Sequence, residues 1–205
     1  MGASQQILAV GGGDAPAGAA VKWNSADKST GVTLTNSDYT ATAANDSAQA
    51  GVRATVSKNS GKYYFEILVA AIPDTGDWGG GFATSGANFG GSISQANAWV
   101  YRGNGQTFLN NSAGPAQTAL AVNNTAMFAI DFATGNFWFG RNGTWGNSGD
   151  PGAGTNPTGT MTAGTTVFPL GKTDNNAGAP GWTLNAETSR LTYSAPSGFT
   201  VWAGP

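Results

Sequence analysis

The feature that most constrains the fold is a series of short aromatic segments, each ended by glycine, asparagine or another turn-forming residue. Residues 63–69, Tyr-Tyr-Phe-Glu-Ile-Leu-Val, form the strongest of these segments. Successive side chains of a β-strand point to opposite faces, so the four odd-numbered residues, all apolar, share one face. This pattern predicts a strand with one side toward the core. The opposite side carries Glu66, which predicts that this second face is only partly covered.

Comparable segments recur along most of the chain and predict further strands. They lie at residues 52–56, 98–101, 106–109, 127–132, 136–140, 166–170, 182–184 and 190–193. No stretch of ten or more residues combines helical periodicity with helix caps. Many short strands with frequent turns predict an all-β domain, either an antiparallel two-sheet sandwich or a closed barrel. No linker separates a second apolar cluster, so residues 21–205 are interpreted as one domain.

The clearest hairpin joins residues 127–132 to residues 136–140 through a short loop that contains glycine. Asp131 precedes this loop, and we predict that it fixes the turn through hydrogen bonds to backbone N–H groups. The longest stretch without strand features is residues 146–159. Loops of this length are usually functional or mobile, and we expect one of these roles here.

Composition and charge exclude several classes of function. Only 10% of the 205 residues are charged and the net charge is -2, which leaves no surplus of cations for nucleic-acid phosphates. The chain has neither His nor Cys, which removes His-dependent catalysis, thiolate nucleophiles, disulfides and metals ligated by those residues. No apolar run approaches the ~18 residues of a membrane span. We therefore expect no cofactor, no nucleic-acid partner and no membrane insertion.

Carboxylates could form two further kinds of site, a glycosidase active site or a calcium site. Glycoside hydrolysis needs a pair of acidic residues, but the only glutamates are Glu66 and Glu187, and no predicted strand has acidic residues at positions i and i+2. We interpret Glu66 as a paired or solvent-edge strand residue and expect no enzymatic activity. Asp74 and Asp77 offer oxygen ligands to calcium. A turn in which aspartate binds its own backbone explains the same two residues without a metal.

Residues 1–20 are rich in Gly and Ala, lack periodicity and are interpreted as an extended N-terminal arm. One hypothesis is a terminus without a partner. The other is an arm that orders against a neighbouring subunit, with Ile7, Leu8 and Val10 as partner-binding anchors. Burial of each anchor would contribute ~1.5–3 kcal/mol before the cost of ordering the arm is subtracted.

Four aromatic residues lie beside Gly, Asn or Asp and are candidates for ligand-binding loops: Trp78, Phe89, Trp145 and Trp182. Aromatic faces stack on sugar rings, and neighbouring amides or carboxylates bind hydroxyls, so the functional hypothesis is a glycan site. The alternative, which we favour from composition, is that these rings fill space between the loops and the core.

Three motifs occur in a fixed order along the chain. They are Gly61-Lys-Tyr-Tyr-Phe-Glu-Ile67, Gly79-Gly-Gly-Phe-Ala83 and Asp131-Phe-Ala-Thr-Gly-Asn-Phe-Trp-Phe-Gly-Arg-Asn-Gly143. In order and approximate spacing they resemble the SPRY domain, with its G-K-x-Y-F-E strand, G-[FIV]-A strand and D-x-x-x-G-x-[ILVF]-x-F-x-x-N-G hairpin. The segment from Leu191 to Trp202 is similar to the closing segment of phage-encoded members. The resemblance covers residues 21–202.

The resemblance implies a bent, antiparallel two-sheet β-sandwich, similar in outline to concanavalin-type lectins. It also implies a domain without catalytic residues, which presents loops at one end of the sandwich to protein or other ligands. The loops, rich in Gly, Ala, Asn and Thr, and the scarce charge differ from eukaryotic members and resemble a phage virion protein. No peptide-binding residues are therefore carried over from the family.

From this resemblance we expect a non-enzymatic structural protein located in a bacteriophage virion. It would be a capsid decoration protein or a subunit of a fibre or tail appendage, oligomeric within the assembly and bound to other capsid or tail proteins. The alternative is a host-recognition module that binds a cell-surface glycan or receptor.

Overall fold

The computed structural model describes residues 20–44, 49–72, 77–174 and 178–204. Within these ranges the chain forms sixteen strands. They are Trp23–Lys28 (β1), Val32–Thr35 (β2), Thr40–Ala43 (β3), Ala50–Ala54 (β4), Lys62–Ala71 (β5), Trp78–Ala83 (β6), Ala98–Arg102 (β7), Thr107–Leu109 (β8), Ser112–Ala113 (β9), Thr125–Asp131 (β10), Asn136–Arg141 (β11), Thr144–Trp145 (β12), Gly159–Thr160 (β13), Phe168–Thr173 (β14), Gly181–Asn185 (β15) and Thr200–Val201 (β16). Two 3₁₀ turns, Gly146–Ser148 and Thr188–Arg190, are the helical elements in the same ranges. None of the described helical segments is long and apolar enough to cross a membrane.

The strands form two sheets, which confirms the predicted sandwich over the closed barrel. Sheet A has the order β1-β4-β14-β6-β7-β8-β9. Sheet B has the order β12-β11-β10-β5-β15-β3-β2, with β13 beside β11 and β16 beside β5. Among the described strands, neighbours are antiparallel except that β16 runs parallel to β5.

Side chains of β5 point alternately inward and outward, and the inward ones form part of the main core between the two sheets. The inward-facing residues of β5 all belong to the largest buried cluster: Tyr63, Phe65, Ile67 and Val69. The Phe65 ring stacks on Phe128 of β10, with 4.9 Å between ring centroids. Trp202 meets Phe65 edge-on at 5.1 Å and donates a hydrogen bond from its indole nitrogen to the Val56 carbonyl at 2.9 Å. The predicted core-facing side of this strand is therefore confirmed.

Residues 191–199, called the tail below, cover part of the outer face of sheet B, over the middle of β5, β10 and β11. The apolar side chains of the tail join Tyr64, Met127, Ala129 and Trp138 in a separate cluster: Leu191, Tyr193, Ala195 and Phe199. Glu66 lies under the tail and has 0% exposure. Lys62 and Ala70 on this face are exposed and Leu68 is half-buried, so the predicted partial coverage is confirmed for the strand as a whole, whereas the cover over Tyr64 and Glu66 is complete.

The predicted strand at residues 190–193 is wrong, and Glu66 gives the physical reason. The N–H groups of Thr192 and Tyr193 each donate to the Glu66 carboxylate at 2.7 Å, instead of to a neighbouring strand. The Tyr64 hydroxyl donates to the same carboxylate at 2.8 Å. A buried carboxylate with three donors is satisfied without a cation.

The outer face of sheet A is covered by residues 84–97, called the covering loop below. Its apolar side chains pack on strand residues in a further buried cluster: Ala83, Ala87, Ile93, Ala98, Val100 and Leu170. Two cations fasten the loop backbone. Arg53 donates to the Ala87 carbonyl at 2.9 Å, and Lys172 donates to the Phe89 and Gly91 carbonyls at 2.8 and 2.6 Å.

The hairpin between β10 and β11 forms as predicted. The Asp131 carboxylate accepts a hydrogen bond from the Ala133 N–H at 3.0 Å, and its carbonyl accepts one from Gly135 at 2.8 Å. Gly135 has φ of 76°, and a Cβ there would lie 2.0 Å from the Met161 carbonyl oxygen. Glycine is required at this turn both for its backbone conformation and for the close approach.

Residues 146–159 are tied to sheet B rather than projecting from it. Asp150 and Thr155 form a β-bridge across the loop. The Trp138 indole donates to the Thr155 carbonyl at 2.8 Å. The loop therefore packs on a buried aromatic residue of β11.

Candidate functional site

Two of the four candidate ligand aromatics are core residues, which corrects their assignment to ligand loops. Trp78 lies in β6 with 2% exposure, and Trp182 lies in β15 with 0% exposure. Each indole fills space left by a glycine, Trp78 against Gly103 and Trp182 against Gly171. Neither ring presents a face on which a sugar can stack, so the glycan-site hypothesis loses both residues.

Phe89 lies in the covering loop and is half-buried. The Arg53 guanidinium lies 4.4 Å from the centre of its ring. A Cβ on Gly51 would lie 2.6 Å from the same ring, so the loop sits directly on the β4 backbone. Phe89 therefore fastens the covering loop to sheet A.

Trp145 lies at the rim of a hollow of about 300 Å³, called the Trp145 hollow below. Its lining comes from both sheets: Tyr101, Gln117, Thr118, Arg141, Asn142, Thr144, Trp145 and Gly146. Tyr101 belongs to β7, and Gln117 lies on the crossover from β9 to β10. Arg141 and Trp145 belong to the hairpin of β11 and β12. The hollow therefore opens between the end of β7 in sheet A, the crossover segment and the edge hairpin of sheet B.

The β11–β12 hairpin holds Trp145 in a fixed position. Its turn is Asn142-Gly143, with φ of 49° and 81°, the left-handed conformation that two-residue hairpins require. The Asn142 side chain accepts a hydrogen bond from the Thr125 N–H at 2.8 Å, which ties the turn to β10. The Trp145 ring lies edge-on to Tyr64, with 6.1 Å between centroids. Trp145 is half-buried, so part of its ring remains available beside the hollow.

The polar groups of the hollow are held by the crossover segment. Arg141 donates to the Ala119 carbonyl at 2.6 Å, and Tyr101 donates from its hydroxyl to the Thr118 carbonyl. Burial raises the pKa of Tyr101 to about 12, against the opposing effect of the Arg141 charge. Tyr101 is therefore protonated at neutral pH and acts as a fixed donor.

These residues offer hydrogen bonds and aromatic surface to a ligand. The lining combines two aromatic rings, those of Tyr101 and Trp145, with one guanidinium, amides and hydroxyls, and none of its eight residues is a carboxylate. In the described part of the chain, no group of three or more acidic residues lies close enough together to hold a metal ion. Asp74 lies outside the described residues, and Asp77 forms an ion pair with Arg102.

Ile7, Leu8 and Val10 also lie outside the described residues, but the point where the arm joins the domain is defined. The Val21 N–H donates to Glu187 at 3.2 Å. Tyr39 donates to the same carboxylate oxygen at 2.8 Å, and Arg190 stacks 3.7 Å above the Tyr39 ring. We call Val21, Tyr39, Glu187 and Arg190 the arm root.

Sequence inspection identified one residue of the hollow, Trp145, and missed its partners. Arg141 was open to prediction, because the Asn-Gly turn places residues 141 and 144 opposite each other across a hairpin. No such pattern predicts Tyr101, which lies on a strand of the other sheet, or Gln117, which lies on the crossover segment.

No protein-family model matches the sequence, and no curated protein matches it either. Solved structures do match. The SPRY domain of human HERC1 superposes with a TM-score of 0.66 at 11% identity, covering 84% of this chain and 99% of that domain. A second human SPRY domain superposes with a TM-score of 0.56 at 10% identity, covering 76% of this chain and 94% of that chain. The chain therefore has the SPRY fold, as the sequence motifs predicted.

Proposed function

We propose that this chain is a non-enzymatic structural protein of a bacteriophage virion, either a capsid decoration protein or a subunit of a fibre or tail appendage. It binds other virion proteins through its N-terminal arm and its loop-bearing ends. The SPRY fold, the scarce charge and the similarity of residues 191–202 to phage-encoded members support this proposal.

The observation that carries the proposal is that the chain itself covers part of each outer sheet face. The covering loop lies on sheet A, and the tail lies on sheet B. Exposed apolar side chains are few among the described residues, with Ile72 and Val122 as the large ones. A domain of this kind contacts partners through strand ends, loops and appended segments rather than through a sheet face.

The arm root and the Trp145 hollow lie on different sides of the sandwich. The arm root adjoins β1, one edge of sheet A, whereas Tyr101 of the hollow is on β7. The order β1-β4-β14-β6-β7 places four strand spacings of ~4.8 Å, about 19 Å in all, between them. An arm that docks on a particle therefore leaves the hollow accessible.

Incorporation into particles tests the arm. The variant Ile7→Ser/Leu8→Ser/Val10→Ser removes the three anchors and keeps the arm length, and Gln5→Ser/Gln6→Ser is its matched control. Loss of apolar burial should reduce the copies per purified particle by about tenfold or more, while the control incorporates as the wild type does. A domain without residues 2–18 should still fold but fail to incorporate. Full incorporation of the anchor variant, or absence of the wild-type chain from particles, refutes the proposal.

A second candidate function is host recognition, and the Trp145 hollow favours it. A half-buried indole beside a guanidinium and amides is a suitable arrangement for a glycan or a receptor loop. Trp145→Ala should weaken binding to a glycan array or to host cells by about tenfold. Phe108→Ala, which removes another half-buried aromatic outside the hollow, should bind as the wild type does. Unchanged binding by Trp145→Ala removes the hollow from this function.

The two candidates also differ in location. A decoration protein is present in a copy number set by capsid symmetry, whereas a receptor-binding protein is present in a few copies at the tail. Counting the chain in purified heads and purified tails separates them.

A further inference from the structure

A second hollow, of about 520 Å³, lies at the other end of β7 from the Trp145 hollow. Its lining combines residues of sheet A with the segment after β13: Thr84, Asn97, Trp99, Asn110, Thr160, Met161, Thr162 and Thr165. We call it the threonine hollow. Thr84 follows β6, Asn97 precedes β7 and Asn110 follows β8, while residues 160–165 belong to the region beside β11. The volume lies within the roughly 300–1,000 Å³ of small-molecule sites.

The lining has a distinctive chemistry. Four threonine hydroxyls and two asparagine amides surround an apolar base of Trp99 and Met161, which are 5% and 8% exposed. None of the eight lining residues is charged. A charged ligand would lose hydration without gaining a counter-charge, and a purely apolar ligand would leave the amides without partners.

The walls of the threonine hollow are fixed before any ligand binds. Asn97 and Asn110 both have left-handed φ, 67° and 52°, and the Asn97 N–H donates to the Asn110 side chain at 2.7 Å. The Thr165 hydroxyl donates to the Thr162 carbonyl at 2.7 Å. The Met161 N–H donates to the Gly135 carbonyl at 2.9 Å. A ligand therefore meets an ordered array of hydroxyls and amides, which lowers the entropy lost on binding.

We infer that the threonine hollow binds a neutral carbohydrate of one or two rings. Sugar hydroxyls both donate and accept, as do threonine hydroxyls and asparagine amides, so the two surfaces are complementary. Trp99 stacks on Phe82 and is 5% exposed, so it closes the floor of the hollow instead of offering a ring face, and the hydroxyls and amides above it make the contacts with the sugar. The inference concerns a different site from the Trp145 hollow and is independent of the virion proposal.

Amide chemical-shift mapping by NMR tests this inference on the full chain. The probes are glucose, galactose, mannose, rhamnose, N-acetylglucosamine and their disaccharides, each at about 50 mM, enough to occupy a site of millimolar Kd. At least one neutral probe should shift the amides of Asn97, Asn110 and Thr162 together. Glucuronic acid and N-acetylneuraminic acid should shift them less.

Thr160→Val and Thr162→Val remove a hydroxyl each while keeping the side-chain shape. Each should raise the Kd of the binding sugar by about tenfold, the equivalent of one lost hydrogen bond. Thr33→Val, at an exposed position of β2, is the matched control and should leave the Kd unchanged. Trp145→Ala should also leave it unchanged. The inference is overturned if no neutral probe shifts the lining amides, if the acidic sugars shift them equally, or if the Val variants bind as the wild type does.

Discussion

Lys172 of β14 donates a hydrogen bond of 2.8 Å from its buried ammonium to the backbone carbonyl of Phe89 in the covering loop. The side chain has 0% exposure and also donates to Gly91 at 2.6 Å and to Thr173 at 3.3 Å. The covering loop is thus held by a lysine that lies between it and sheet A. Protonation of Lys172 is coupled to folding, because this amine is buried in the native protein and exposed to water in the unfolded chain.

The first prediction concerns the pH dependence of stability. Burial lowers the pKa of Lys172 to about 8, against the opposing effect of Asp174. An unfolded lysine titrates near 10.4, so between pH 8 and 10 the unfolded chain binds more protons than the native protein. The free energy of unfolding should therefore rise with pH across this window, by up to ~1.4 kcal/mol per pH unit. Chemical denaturation at half-unit steps of pH measures the slope.

Above pH 10 the trend should reverse. Burial raises the pKa of Tyr64 above its ordinary range and that of Tyr101 to about 12, so tyrosines of the unfolded chain ionise first. Lys172→Met is the control, because it removes the titrating group and should abolish the rise between pH 8 and 10. A wild-type profile that is flat or falling in that window would show that the Phe89 and Gly91 carbonyls keep the ammonium charged.

The second prediction concerns the tail. Glu66→Gln replaces a carboxylate that accepts three hydrogen bonds with an amide that has one acceptor oxygen, and leaves buried donors unsatisfied. We expect a loss of ~1–3 kcal/mol in the free energy of unfolding, and faster tryptic cleavage after Arg190, the residue before the tail. Asp27→Asn alters the ion pair with Arg53 on sheet A instead and should leave the cleavage rate after Arg190 close to that of the wild type in native buffer. Equal cleavage rates for the wild type and Glu66→Gln would contradict the account.

The third prediction concerns the glycine-rich strand β6. A Cβ on Gly81 would lie 2.0 Å from the Trp99 carbonyl oxygen on β7, so alanine there must separate two paired strands. Gly81→Ala should cost ~1–3 kcal/mol or more, as overpacking does in other cores. Gly90→Ala, where the nearest atom would be 3.6 Å away, should change stability little. Denaturation midpoints compare the two, and equal midpoints would show that the register between β6 and β7 is incorrect.

The core between the sheets was predictable because β5, β10 and β11 carry alternating or aromatic side chains whose faces can be read directly. The turn at Asp131 was also predictable, since an aspartate before a glycine-containing loop has few other roles. The packing partners of the buried residues Trp78 and Trp182 could not be predicted from the sequence. Each indole packs on a distant glycine, Gly103 or Gly171, and that pairing is decided by the tertiary fold.

The two covers and both hollows were not predictable from the sequence. The covering loop has no alternation, and its anchors Arg53 and Lys172 lie on strands far from it in sequence. Residues 190–193, where the tail begins, were predicted to be a strand, whereas the N–H groups of Thr192 and Tyr193 bind the Glu66 carboxylate. The Trp145 hollow forms where the crossover at Gln117 meets the hairpin at Trp145. The packing of the sheets, not the local sequence, determines this meeting.

Cryo-electron microscopy of the phage particles that we propose to carry this chain tests the central claim most directly. We predict density for the sandwich on the particle surface, joined to it by residues 1–20, with Ile7, Leu8 and Val10 buried against a neighbouring subunit and the Trp145 hollow facing away. Density in which the N-terminus points into solvent while another face of the sandwich makes the contact would contradict the claim.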